Sequence, residues 1–206
     1  MRNMGYHPAL PSWLWAEEDA TMQVDDRILN CTVFLGRPLA HGFSADGTGF
    51  FIGLEIEGMR FHYIVTCRHV VRPTISARDP TPNDESIWVR INRAGDKPPT
   101  TIETRRSDWL YPTNRRIDVC IYPFDLRRYD ANNDLDMTVL NAGEEHDLVF
   151  TEKLKRQWGL SLGDEIFIVG CFVGQIGERK NIPVIRVGSI AAKPDEPIGG
   201  VSHQNP

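Results

Sequence analysis

Two residues of this chain have the types and the placing that suit proton-transfer chemistry. His69 stands at the exit of an apolar, β-branched run, Phe61-His62-Tyr63-Ile64-Val65-Thr66-Cys67-Arg68-His69-Val70-Val71. An imidazole exchanges protons near neutral pH, so one held at the rim of a β-structure is placed to act as a general base. Asp118 lies in a second apolar run, Ile117-Asp118-Val119-Cys120-Ile121-Tyr122-Pro123. Beside His69, its carboxylate would accept a hydrogen bond from one ring nitrogen and fix the tautomer, leaving the other nitrogen free for a proton. The bland alternative is a loop histidine and a strand-opening cap.

Such a base needs a nucleophile. Ser202, in Gly199-Gly200-Val201-Ser202-His203-Gln204, is the nearest candidate hydroxyl. His203 follows it where a glycine would ease the tight turn that aims two backbone N–H donors at one oxygen. The four cysteines (Cys31, Cys67, Cys120, Cys171) form no C-x-x-C unit and sit in apolar runs, so they are expected as small buried hydrophobes rather than nucleophiles. His41 and His62 show no ligand spacing, so neither a metal site nor a cofactor is expected.

Two motifs are decoys. Gly159-Leu160-Ser161-Leu162-Gly163 matches the G-x-S-x-G elbow, but a strand pattern follows it where that motif needs a helix. Asp130-Ala131-Asn132-Asn133-Asp134 begins like a calcium loop, but Leu135 and Asn141 replace the required Gly and Glu.

Residues 28–36 read as a strand. Gly47-Thr48-Gly49-Phe50-Phe51-Ile52-Gly53 and the run ending at His69 read as a hairpin turning at Glu57-Gly58. Residues 86–92 alternate apolar and polar, the pattern of a half-buried strand, and 100–104 give a weaker one. Residues 117–123, 164–171 and 183–190 complete the strands. Residues 125–150 read as a linker with one short helix, 151–158 as a helical turn or two, and 174–181 as a mobile loop. Residues 1–25 form an irregular arm holding Trp13 and Trp15. Short strands separated by turn signals indicate an all-β barrel or sandwich.

Composition agrees with a globular body. Apolar residues make up 41% and charged residues 25%, with a formal charge of -5. Arg105-Arg106, Arg115-Arg116 and Arg127-Arg128 are isolated pairs, so no basic face for nucleic acid is expected. No long apolar run and no leader pattern is present, and reduced thiols are expected, so the expectation is a cytoplasmic protein with no membrane partner.

In order, Gly47-Thr48-Gly49-Phe50-Phe51, Val65-Thr66-Cys67-Arg68-His69-Val70-Val71 and Ile117-Asp118-Val119-Cys120-Ile121 resemble the bacterial trypsin-like serine peptidases. Cys67 and Cys120 stand where that family usually has alanines. Residues 163–170 and 183–192 resemble strands of its second barrel, so the likeness spans about residues 28–192. The resemblance implies a trypsin-like double six-stranded β-barrel: an arm (1–25), a first barrel (26–112) and a second barrel (113–206). It implies His69 as base and Asp118 as orienting acid, with a peptide or protein as substrate. The family's G-x-S-G-[GS]-P loop is not in this chain. The expectation is therefore an incomplete second barrel, a chain cut short before the nucleophile loop, and weak or no activity. Self-association through an open sheet edge would follow. The competing class is a non-catalytic, peptidase-like binding module.

Overall fold

The computed structural model describes residues 24–72, 86–142, 159, 161–172 and 176–191. The fold is mostly β and is built around one curled, half-barrel sheet. Its strands are β1 (Thr32–Leu39), β2 (Gly42–Ile56), β3 (Met59–Thr66), β4 (Ser86–Ile91), β5 (Thr100–Arg105), β6 (Cys120–Pro123) and β7 (Leu140–Ala142). The order across the sheet is β5-β4-β1-β2-β3-β6, and β7 pairs with β2 in parallel. A second, two-stranded sheet holds β8 (Glu165–Gly170) and β9 (Val184–Ser189).

Local chemistry explains the central meander. β2 and β3 turn at Glu57-Gly58, where φ is 52° and 74°. Two successive left-handed residues make the turn whose twist matches that of the flanking strands. Between β1 and β2 the register shifts at Leu35/Gly36, and a Cβ on Gly36 would stand 1.8 Å from the Ser44 carbonyl oxygen. Only glycine fits there, and the bulge bends the sheet.

The curled sheet encloses Val33, Leu35, Phe51, Ile64, Val71, Val89, Ile91, Trp109 and Phe124. The Trp109 indole donates to Thr104 Oγ1 at 3.0 Å, and Thr104 in turn donates to the Ile87 carbonyl at 2.8 Å, so these buried polar atoms are paired. Leu110 and Ile121 exchange backbone bonds of 2.7 and 3.0 Å. This bridge brings the segment after β5 to β6 and completes the curl.

Several elements depart from the sequence expectation. Residues 28–30 belong to a helical turn, α1 (Asp26–Asn30), and not to the first strand. The Asp25 carboxylate accepts the Arg27 N–H at 2.8 Å, and the Thr32 hydroxyl donates to the Leu29 carbonyl at 2.7 Å. These local bonds outweigh the β-propensity of Ile28. β6 starts at Cys120, so Asp118 precedes the strand. β6 pairs with β3 and so belongs to the first sheet.

The expected mobile loop at 174–181 is pinned where it is described, over residues 176–181. Arg90 stays on the face of β4 opposite Val89 and Ile91, as the alternating pattern has it, yet it is only 6% exposed because residues 176–181 cover that face. Its Nη1 donates to the Ile176 carbonyl (2.9 Å) and Asn181 Oδ1 (3.0 Å), and its Nη2 to the carbonyls of Gly177 (2.9 Å) and Glu178 (3.1 Å). Asn181 returns a bond from Nδ2 to the Arg90 carbonyl at 2.7 Å.

The short helix expected after residue 125 is α3 (Leu126–Asn133), capped by Asp125. The calcium-like motif lies in the last turns and C-cap of α3 and not in the solvated loop expected of it. Ser161 leads into β8 and not into a helix, so it is no nucleophile elbow. Residues 1–23 of the arm, residues 151–158 and Ser202 lie outside the described residues. Among the described residues no helix is long and apolar enough to cross a membrane.

Candidate active site

One backbone pairing positions both expected site residues. At the end of β3, Thr66 faces Gly49 on one side and Cys120 on the other. His69 follows Thr66 by three residues, and Asp118 precedes Cys120 by two. The Thr66 side chain is buried and donates to the Thr48 carbonyl at 2.8 Å, which fixes the strand end. The chain then leaves the sheet through one helical turn, α2 (Arg68–Val71), anchored by the fully buried Val71. Gly47 makes room for that turn: a Cβ there would lie 2.6 and 2.7 Å from the two methyls of Val70. Arg72 lies 4.2 Å over the Tyr111 ring and Arg68 5.9 Å from the same ring, which flanks the turn with cation–π contacts.

Asp118 holds His69 at two points. One oxygen, Oδ1, accepts the His69 backbone N–H at 3.0 Å, and Oδ2 lies 2.5 Å from His69 Nδ1. Burial works to raise the Asp118 pKa. The bonds from the His69 ring, the His69 N–H and the Arg68 N–H outweigh it and hold the carboxyl below its ordinary range. Asp118 is therefore a carboxylate at neutral pH and can only accept. Nδ1 must carry the proton of this bond, so in the neutral ring the lone pair is on Nε2. That is the tautomer a general base requires. The dyad is open to water: the His69 and Asp118 side chains are 66% and 53% exposed. Solvent screening weakens an ion pair in that setting.

Cys67 departs from expectation. The run of apolar neighbours pointed to a core residue, yet the side chain is exposed, because the sheet ends at Thr66 and Cys67 starts the turn. Its sulfur, one ring nitrogen of His69 and one Asp118 oxygen lie within 4.8 Å of one another. Partial burial first, and the Asp118 charge second, push its thiol pKa up. The thiol stays protonated at neutral pH and is not a poised nucleophile. Cys120 is buried, and its pKa is pushed up to about 12, chiefly by burial. Cys31 is also buried, and Cys171 is intermediate.

Sequence reasoning places Cys67 two residues before His69 but reads it as a core residue, and it misses Tyr111. Tyr111 carried no local signal. Comparison with family models, curated proteins and solved structures gives no match to this chain.

Proposed function

We propose that this chain carries the base–acid half of a serine-type endopeptidase site on a trypsin-like double β-barrel, with peptide-bond hydrolysis through an acyl-enzyme as its chemistry. The observation that supports this most is the two-point hold of Asp118 on His69, which leaves Nε2 as the free base. In that scheme Nε2 takes the proton of an attacking hydroxyl as the new C–O bond forms, then passes it to the departing amine. Asp118 stays ionised throughout and stabilises the imidazolium. The three ordered motifs of the sequence support the same family, and Ser202 is their candidate hydroxyl.

The test is reaction with a fluorophosphonate probe together with hydrolysis of a chromogenic peptide ester. Slow turnover is expected, abolished in His69→Ala and reduced in Asp118→Asn by about 10⁴-fold, the cost of the wrong tautomer in triads of this kind. Turnover that persists in His69→Ala overturns the proposal. The exposure of both dyad side chains favours a second reading, a peptidase-like module that binds without cleaving. Saturable peptide binding with no probe labelling, equal in the wild type and Asp118→Asn, would select it.

A further inference from the structure

We infer that Cys67, His69 and Asp118 together form a binding site for one borderline-soft divalent cation of the zinc class, and that the cation and the free base exclude each other. The inference stands apart from the peptidase reading, because binding is measured whether or not the chain turns over substrate.

The donors are a sulfur, an imidazole nitrogen and a carboxylate oxygen, all within 4.8 Å of one another. Zinc takes these three atoms at about 2.0–2.3 Å in a tetrahedron, which sets its ligands about 3.3–3.6 Å apart. Closing the cluster therefore asks for shifts of about 1 Å, small for the side chains of three exposed residues. The backbone that carries them is already fixed. Cys67 and His69 bracket the start of α2, the Cys67 carbonyl accepts the Val70 N–H at 3.1 Å, and the Thr66–Cys120 pairing holds Asp118 opposite. Asp118 is also oriented from behind by backbone N–H groups, the outer support that metal-binding carboxylates use.

The donor set selects the metal. Calcium and magnesium take oxygen ligands, whereas a thiol with an imidazole suits zinc, cobalt and their neighbours. On binding, the Cys67 proton leaves to solvent and His69 coordinates as neutral imidazole through one nitrogen. Three protein ligands leave a fourth position for water. A metal on Nε2 occupies its lone pair, and a metal on Nδ1 displaces the bond to Asp118 and leaves the ring proton on Nε2, so either way the free base is lost.

The experiment uses the full chain without an affinity tag, kept reduced and stripped by chelator. Zinc is titrated against a chromophoric competitor, and cobalt is added separately as an optical probe. One metal per chain is expected, with the sulfur-to-cobalt charge-transfer absorption of a thiolate ligand. Cys67→Ala should lose that band and bind zinc at least about tenfold more weakly, the scale on which even outer partners of a metal register. Cys171→Ser should bind as the wild type does. The His69 Nδ1 proton resonance, retained in metal-free Cys67→Ala, separates loss of a ligand from loss of the fold. A cobalt complex without the sulfur band, or zinc affinity unchanged in Cys67→Ala, overturns the inference.

Discussion

Asp118 shows how little separates a structural carboxylate from a working one. Its two oxygens are spent on the ring and the backbone of the same residue, so it sets both where His69 sits and which way the ring faces. The hydrogen bonds lower its pKa in the folded chain, so the folded state binds fewer protons than the unfolded state at acid pH. The stability that Asp118 contributes is therefore present above its ordinary pKa and is lost as pH falls through the depressed folded value. A thermal melt series should show the wild type above Asp118→Asn at neutral pH. The gap should close on acidification below about 4, the ordinary carboxylate range. Both groups are largely exposed, so the gap is small. A gap that widens with acid would contradict a carboxylate held ionised by these bonds. The proximity of His69 and Asp118 was legible through the ordered motifs that resemble the trypsin-like peptidases, since two strand ends alone do not say that β3 and β6 pair. The exposure of Cys67 was not, since a β-branched run does not announce where its last ladder bond falls.

Elements obey a similar division. The hairpin at Glu57-Gly58 was readable from two residues, because a turn type is a local property. The helical turn at Asp26–Asn30 was hidden by Ile28 and Leu29, whose apolar character fits either structure, and its capping bonds are visible only in three dimensions. The short parallel strand β7 has three residues and a partner about ninety positions earlier, so no periodicity marks it. Gly47 is where β2 and α2 meet, and it carries the sharpest expectation at this scale. Gly47→Val would drive methyls into Val70, already 2.6 Å from the position of a simple Cβ. Overpacking of this kind costs about 1–3 kcal/mol. The urea midpoint should fall accordingly, and the His69 Nδ1 proton resonance should broaden or vanish while the sheet persists. An unaltered resonance would mean that α2 moves independently of β2.

Across the whole molecule, Arg90 joins the curled sheet to the loop that precedes β9. A buried guanidinium surrounded by carbonyl and amide oxygens is demanding, because its loss leaves the buried Asn181 side chain without its donor and frees three carbonyls of the loop. Thr48 adds a second link, its hydroxyl oxygen accepting the Cys171 N–H at 2.6 Å. The two sheets should accordingly unfold in one transition. Arg90→Met should lower stability by about 1–3 kcal/mol, the cost of leaving the buried Asn181 side chain without its donor. Amide exchange over residues 176–181 should rise at the same time. Exchange that stays slow in Arg90→Met would show that the loop is held by other means. None of this was readable from the alternation of β4, which assigns Arg90 to the wet face. Charge on a covered face needs partners from far along the chain, and these lie 86 to 91 residues away.

The Thr66–Cys120 pairing has a consequence in time. The β2–β3 hairpin closes through two residues, whereas Asp118 reaches His69 only after the chain between β3 and β6 has looped back. Loop entropy grows with length, by about 0.6 kcal/mol per doubling, and must be met before any bond across the gap repays it. During synthesis His69 is present long before its acid. A fragment that stops short of Asp118 has the histidine without the orientation, so the oriented base belongs to the finished sheet alone.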